Sequence, residues 1–285
     1  MTKPVTILFL VFASTAALGH EDPVGDLYPL VKVENGNFAI YFYNNAQHEK
    51  ATDYDMSGNA PVYRMVYSPT GELLGPRALC KNINSETISN ANSMVYDKKI
   101  QLPNETVLFG SELLKKGKPS YFVEKNGVRE HRRLPWPDQI KIDYVASVYV
   151  DENQLVMSAT TDDRVLRLFH FDRNKFEAPA LASVGKTTFI YDFPGASNVV
   201  CAANRFWVAW VHYNSEKKKF ETILSSWRPG DEKPHERILD NPSDWNTELS
   251  MAAVDNHLCV AYHCAVTGEY PGYSQIITAF RDAKQ

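Results

Sequence analysis

Four acidic residues stand shortly before asparagine-containing turns, and they are the side chains of this sequence best suited to chemistry. Asp26, Asp143, Asp192 and Glu248 precede those turn asparagines by 11, 10, 12 and 8 residues. If the intervening segments are equivalent strands, the carboxyl groups gather at one end of them. Two carboxyl groups in different environments can serve as acid and base in glycoside cleavage, and a ring of them can hold Ca²⁺. The alternative is that they close turns and face water.

The segments that position these acids repeat along the chain. Each has a run of small or β-branched residues, a polar turn, and an apolar run rich in valine and aromatics. The turn asparagines are Asn37, Asn153, Asn204 and Asn256, with spacings of 116, 51 and 52 residues. A fixed period of this size predicts an all-β fold, a β-propeller of five blades, each a four-stranded antiparallel sheet of about 50 residues. The alternative is a β-sandwich, which needs no such period.

Turn signals divide the chain into five units. In the first unit, Pro69-Thr70-Gly71 predicts a turn between two alternating runs. In the second, residues 93–102 are predicted to form a strand pair that turns at residues 97–99. The fifth unit has only three predicted strands. We expect residues 24–28 to complete it, since propellers often close their last blade with a strand from the other terminus.

The N-terminus has the features of a secretory leader. Residues 5–18 carry no charge, and Ala17 and Gly19 provide small residues for cleavage before His20. We therefore expect a signal peptide at residues 1–19, packed against nothing, and a single propeller domain at 20–285. This predicts a protein that is secreted, or periplasmic if bacterial. No later run approaches 18 apolar residues, so no membrane association is expected after cleavage, and we expect a monomer.

The composition of the chain limits the classes of ligand and cofactor that can be expected. A net charge of −4 among 285 residues disfavours nucleic acid, which requires concentrated positive charge. The cysteines show no metal-binding spacing, so no cofactor is predicted apart from Ca²⁺ at the channel. The pairing of the four cysteines, Cys80, Cys201, Cys259 and Cys264, stays open. A single glycosylation sequon begins at Asn104, in a segment predicted to be a turn.

Three tryptophans lie in turn-like settings and are candidates for ligand binding. They are Trp136 between two prolines, Trp227 before Arg-Pro-Gly, and Trp245 between Asp and Asn. An exposed indole can hold a sugar ring or a partner protein. The alternative is that they pack between blades.

The layout of five units resembles five-bladed propellers, both the glycoside hydrolases that cleave arabinosides, xylosides and fructosides and the tachylectin-type lectins. The WD40 dipeptide and the sialidase Asp-box are absent. Together with the leader, this layout predicts a secreted protein that binds a carbohydrate or a partner protein through one face of the disc. The alternative is a glycoside hydrolase with Asp143, Asp192 and Glu248 as catalytic carboxyl groups at the channel mouth.

Overall fold

The structure, a computed structural model, describes the greater part of the chain. The described residues are 7–10, 27–44, 61–83, 88, 98–109, 119–175, 177–186, 196–239, 249–266 and 273–284.

Twenty strands in the described part form five four-stranded sheets. The first sheet contains β2 (Leu27–Glu34), β3 (Asn37–Asn44), β4 (Val62–Tyr67) and β5 (Ala78–Cys80). The second contains β6 (Lys98–Gln101), β7 (Thr106–Phe109), β8 (Ser120–Lys125) and β9 (Val128–Arg133). The third contains β10 (Ile142–Val150), β11 (Gln154–Thr161), β12 (Val165–Asp172) and β13 (Ala180–Lys186). The fourth contains β14 (Val200–Ala202), β15 (Arg205–Asn214), β16 (Lys219–Trp227) and β17 (His235–Leu239). The fifth contains β18 (Leu249–Val254), β19 (His257–Val266), β20 (Tyr273–Asp282) and β1 (Ile7–Leu10).

Each of the first four sheets is an antiparallel meander in sequence order. Among the first strands, β18 lies against both β2 and β14. The last strands β9 and β17 are largely exposed. The first strands β2, β6, β10, β14 and β18 are therefore the inner strands of a ring. The fold is a five-bladed β-propeller, as the sequence period predicts.

Two-residue turns join the inner strands to their neighbours. In the fourth sheet the turn is Ala203-Asn204, with positive φ angles of 50° and 57°. Asparagine tolerates this backbone conformation better than most residues. In the first sheet the central residues are Asn35 and Gly36, so Asn37 starts the next strand. Gly36, one residue earlier than predicted, is therefore the equivalent of Asn204.

The second sheet differs from its predicted strand pair. Residues 98–101 form β6 and do not turn. The turn instead lies at Pro103-Asn104, closed by a hydrogen bond from the Leu102 amide to the Glu105 carbonyl of 2.9 Å. The turn residue Asn104 is also the asparagine of the glycosylation sequon, and it is exposed. The prediction failed because a proline turn has no asparagine-glycine signal.

Four apolar clusters join neighbouring sheets face to face. They lie between the second and third, third and fourth, fourth and fifth, and fifth and first sheets. A fifth cluster covers the remaining face of the first sheet, and its described members from outside that sheet are Ile83 and Ile88 of the following segment. A sheet that is apolar on both faces must bury each face against another element, and stacking against the neighbouring sheets does this.

The fifth sheet is completed from the N-terminus, but by other residues than predicted. Ile7–Leu10, inside the predicted leader, forms β1 and pairs antiparallel with β20, Ile7 opposite Ala279. Leu27 and Tyr28 instead begin β2. The expectation that the leader packs against nothing is therefore not met in this structure. An uncovered β20 would present a row of unpaired amides and carbonyls, and β1 satisfies them. Within the described residues, no helix is long and apolar enough to cross a membrane.

The turn at Gly71 gives a test of the packing between the first and fifth sheets. Gly71 has a φ of +92°, and an added methyl group would lie 2.8 Å from the Phe280 ring. We expect Gly71→Ala to lower the free energy of unfolding by about 1–3 kcal/mol through strain and overpacking, measured by urea denaturation. Gly230→Ala is the matched control, because Gly230 has a φ of +98° with no atom within 4 Å of the added carbon. Equal losses in both variants would show that contact with Phe280 contributes nothing.

The N-terminal segment gives a second test. The leader hypothesis predicts a mature secreted chain that begins near His20, whereas the pairing of Ile7–Leu10 with β20 requires that the segment is kept. N-terminal sequencing of secreted protein separates the two. We expect cleavage and, in a chain that begins at His20, faster hydrogen exchange at Ile276–Ala279 than in the uncleaved chain, because those amides lose their partner strand. A secreted chain that retains Ile7–Leu10 would contradict the leader hypothesis.

Candidate functional site

A set of hydrogen bonds ties the inner strands to one another at a common level. The Val199 amide donates to Ser147 Oγ at 2.7 Å, and the Val31 amide donates to Ser250 Oγ at 2.9 Å. Between them, Asn198 Oδ1 accepts from the Met251 amide at 3.0 Å and Asn198 Nδ2 donates to the Met251 carbonyl at 2.6 Å. The third, fourth, fifth and first sheets are thus joined in sequence.

These ties hold the inner strands in register. The acceptors Ser147, Asn198 and Ser250 each stand six residues before the second turn residue of their own hairpin, Asn153, Asn204 and Asn256. The donor amides of Val199, Met251 and Val31 each stand five residues before the second turn residue of their own hairpin. These turn residues are Asn204, Asn256 and, in the first sheet, Gly36. The hairpin turns of these sheets therefore share one face of the disc. The chain enters the inner strands at the opposite face, which we call the channel mouth.

Asp143 lies at the channel mouth, near the start of β10. Its neighbours Ile142 and Tyr144 pair with Thr161 and Thr160, so Asp143 is the extra residue of a β-bulge. Bulges redirect side chains and are common beside active sites. Asp143 is exposed, and within the described part of the chain it makes no side-chain hydrogen bond or ion pair.

Other carboxyl groups near this face are used to close turns. Asp163 accepts two hydrogen bonds of 2.6 Å from the Arg167 guanidinium, and that interaction, with help from Thr161, lowers the pKa of Asp163 well below its usual value. Glu221 accepts from Lys217 Nζ at 2.8 Å, which lowers the Glu221 pKa. Groups held ionised in this way are poor proton donors.

Glu236 alone, among described carboxyl groups with a displaced pKa, has that pKa raised. Burial causes the shift. Glu236 lies on β17, the outermost strand of the fourth sheet, away from the inner strands. Near the channel mouth, the described carboxyl groups with a displaced pKa are Asp163 and Glu221, and both have it lowered. The groups with a lowered pKa are Glu34, Asp151, Asp163, Glu221 and Asp231.

Two of the three candidate tryptophans are packed inside the protein. Trp136 is 8% exposed, its ring centroid lies 4.3 Å from that of Phe169, and its Nε1 donates to the Ile140 carbonyl at 2.8 Å. Trp227 is 2% exposed and belongs to the cluster between the third and fourth sheets. Because these indoles pack against other parts of the protein, they are not part of the proposed site.

The remaining candidates, Asp26, Asp192, Glu248 and Trp245, lie outside the described residues. In the part of the chain that is described, no group of three or more His, Cys, Asp or Glu side chains could hold a metal ion. Ca²⁺ at the channel stays a prediction. Cys80, Cys201 and Cys259 have free thiols.

The sequence analysis missed the residues that tie the ring together. Ser147, Asn198 and Ser250 have spacings of 51 and 52 residues, the same as the turn asparagines. Aligning the units on their turns would have shown a small polar residue at the same place in three apolar strands. A polar residue that recurs in a buried position indicates a hydrogen-bonding role.

Comparisons with known proteins give similarity of layout. No protein-family model matches this chain, and no curated protein matches it. A solved structure of a subtype N11 neuraminidase-like protein of A/flat-faced bat/Peru/033/2010 (H18N11) is similar, with 11% identity, a TM-score of 0.46, and 92% of this chain and 89% of that one covered. The catalytic domain of the Coprinopsis cinerea GH62 α-L-arabinofuranosidase shows 11% identity, a TM-score of 0.39 and 90% coverage of both chains. A GH43_1 enzyme from Xanthomonas citri shows 14% identity, a TM-score of 0.34, and 96% and 90% coverage. These similarities are too distant to assign a role to any residue of this chain.

Asn198 gives the test of the ring. Asn198→Ala leaves the Met251 amide and carbonyl, in a residue that is 1% exposed, without their side-chain partner. We expect a loss of about 2–4 kcal/mol in the free energy of unfolding, since an unsatisfied buried polar group costs about 1–3 kcal/mol. Urea denaturation measures it, with the exposed Asn174→Ala as the control, expected within about 0.5 kcal/mol of the parent protein. An unchanged midpoint for Asn198→Ala would show that the ring does not hold the sheets.

Proposed function

We propose that this chain acts on carbohydrate at the channel mouth, as a glycoside hydrolase. The observation that supports the proposal is the common level of the inner strands. Strands in register start at the same face, and Asp143 lies near the start of β10. In sequence, Glu248 directly precedes β18 and Asp192 stands eight residues before β14. The proposal requires Asp192 and Glu248, which lie outside the described residues, to approach the same axis as Asp143.

The chemistry requires two carboxyl groups on either side of one glycosidic bond, about 5–5.5 Å apart for retention of configuration or about 6.5–9.5 Å apart for inversion. Asp143, exposed and without a cationic partner in the described part of the chain, is assigned the role of nucleophile or base. The proton donor needs a raised pKa. Asp163 and Glu221 have lowered pKa values, so we assign the donor role to Glu248 or Asp192.

A second candidate function is binding without cleavage, of a carbohydrate or of a partner protein. It is favoured by the lowered pKa values of Asp163 and Glu221, the described carboxyl groups near the channel mouth that have a displaced pKa. A binder needs no proton donor and can use Asp143 as a hydrogen-bond acceptor. Under either function we propose a monomer that is secreted after removal of residues 1–19, or periplasmic if bacterial.

The experiment measures cleavage and binding on the same variants. Aryl arabinosides, xylosides and fructosides serve as substrates, and the corresponding oligosaccharides serve as ligands in calorimetry. For a hydrolase we expect Asp143→Asn and Glu248→Gln each to lower kcat by about 10²–10⁴-fold, the range for acid–base groups, with little change in affinity. Asp162→Asn is the control, because Asp162 is an exposed acid of the same face, in the turn after β11, and should change neither quantity.

The outcomes separate the two candidates. If the parent protein binds a sugar without cleaving it, and Asp143→Asn abolishes that binding, the binding function is supported. If the parent protein neither cleaves nor binds any of these sugars, the carbohydrate proposal is contradicted.

A further inference from the structure

A cavity of about 410 Å³ lies between the fourth and fifth sheets, on the face that carries the hairpin turns. This is the face opposite the channel mouth, so the cavity is separate from the site proposed above and does not depend on it. Its volume falls within the usual range for small-molecule sites. Its apolar part is formed by Trp207, Leu224 and Ala283.

Positive side chains dominate the polar part of this cavity. Arg205 and Arg237 come from the fourth sheet and Arg281 from the fifth. Opposite Arg237 in the sheet is Leu224, and opposite Arg281 is Leu258, both members of the apolar cluster between these sheets. Opposite Arg205 is Ala202, which belongs to the same cluster. Because paired residues of a sheet share a face, all three arginines project into the space between the two sheets.

The acidic residues at the border of the cavity do not neutralise Arg237. Glu236 follows His235 along β17 and Asp282 follows Arg281 along β20, so alternation directs both carboxylates to the opposite faces of their sheets. Asp231 accepts from Arg205 at 2.6 Å and from Arg228 at 3.0 Å. Arg237 is exposed and makes no side-chain hydrogen bond or ion pair with the described residues.

Further donors line the same space. Ser226, 4% exposed, carries a hydroxyl that accepts from Arg205 Nε at 3.2 Å and keeps its own proton for another acceptor. His235 pairs with Ser226 across the strands and shares its face. The Trp207 Nε1 is already bonded to the Ala202 carbonyl at 3.1 Å, so its ring contributes an apolar surface. Cations and hydroxyl donors around an apolar floor suit a ligand that carries an oxyanion.

We infer that this cavity binds a small oxyanion ligand, one that presents a carboxylate, phosphate or sulfate group to the guanidinium groups of Arg237 and Arg281. The planar guanidinium matches these groups through two parallel hydrogen bonds. The ligand supplies a partner for the Arg237 guanidinium, which has none among the described residues, whereas Arg205 is already paired with Asp231. The rest of the ligand lies against Trp207 and Leu224.

Calorimetry at low ionic strength tests the inference with D-glucuronate, inorganic phosphate, sulfate and, as the neutral analogue of glucuronate, D-glucose. We expect at least one anion to bind, with an affinity that falls as salt is added, and no binding of glucose. Arg237→Gln is expected to weaken the anion about tenfold. A preference for glucuronate identifies a carboxylate ligand, and a preference for phosphate or sulfate identifies a tetrahedral oxyanion.

Arg133→Gln is the matched control, since Arg133 is also an exposed arginine of an outermost strand, β9, without a side-chain partner in the described part of the chain. It should leave the affinity unchanged. Ligand-induced change in tryptophan fluorescence should disappear in Trp207→Phe, which locates the ligand in the cavity. The inference is overturned if no anion binds, if glucose binds as tightly as glucuronate, or if Arg133→Gln weakens the anion as much as Arg237→Gln.

Discussion

The hydrogen bonds between inner strands are the constraint on which the rest of this propeller depends. Three side chains, Ser147, Asn198 and Ser250, each bind the backbone of the next sheet at the same level. Apolar packing between sheets is non-directional and would tolerate sliding of one sheet along another. A buried side chain that must meet one particular amide does not tolerate it, because a shift of one residue leaves that amide unsatisfied. The ties therefore set which ends of the strands meet at the channel mouth.

The ring is tied differently where this pattern is interrupted. The residues at the equivalent position in the first two sheets are Leu30 and Lys98, whose side chains cannot accept a hydrogen bond. Between the second and third sheets, a partly buried ion pair joins Glu105 to Arg173, which also donates to the Asp151 carbonyl at 2.5 Å. The Trp136 ring supports the same joint through contact with Phe169. Between the first and second sheets, the first sheet's apolar face is covered by Ile83 and Ile88 of the connecting segment.

The two faces of the disc consequently differ in chemistry. At the channel mouth, Asp163 is held by Arg167 and Glu221 by Lys217. On the opposite face, between the fourth and fifth sheets, arginines outnumber the carboxylates that face them. A net charge of −4 for the whole chain conceals this separation. Local field, and not net charge, decides which ligand a site attracts.

The sequence by itself determined the number of units and the identity of most hairpins. Turn chemistry is local, since a residue such as Asn204 adopts positive φ because of its own side chain, and the 51- and 52-residue spacings are visible without any contact information. The proline turn at Asn104 was not predicted, because it lacks an Asn-Gly signal. The one-residue offset in the first sheet arose from aligning the units on Asn37, although the turn itself is Asn35-Gly36.

Only the tertiary structure decided what each polar or aromatic side chain faces. Trp136 and Trp227 lie in turn-like sequence but pack inside, because burial is set by the neighbouring sheet and not by flanking prolines. The roles of Ser147, Asn198 and Ser250 depend on a partner about 50 residues away or, for Ser250, at the other end of the chain, as does the gathering of Arg205, Arg237 and Arg281 around one cavity. Such contacts arise when separate sheets close into a ring, and no local pattern in the sequence records them.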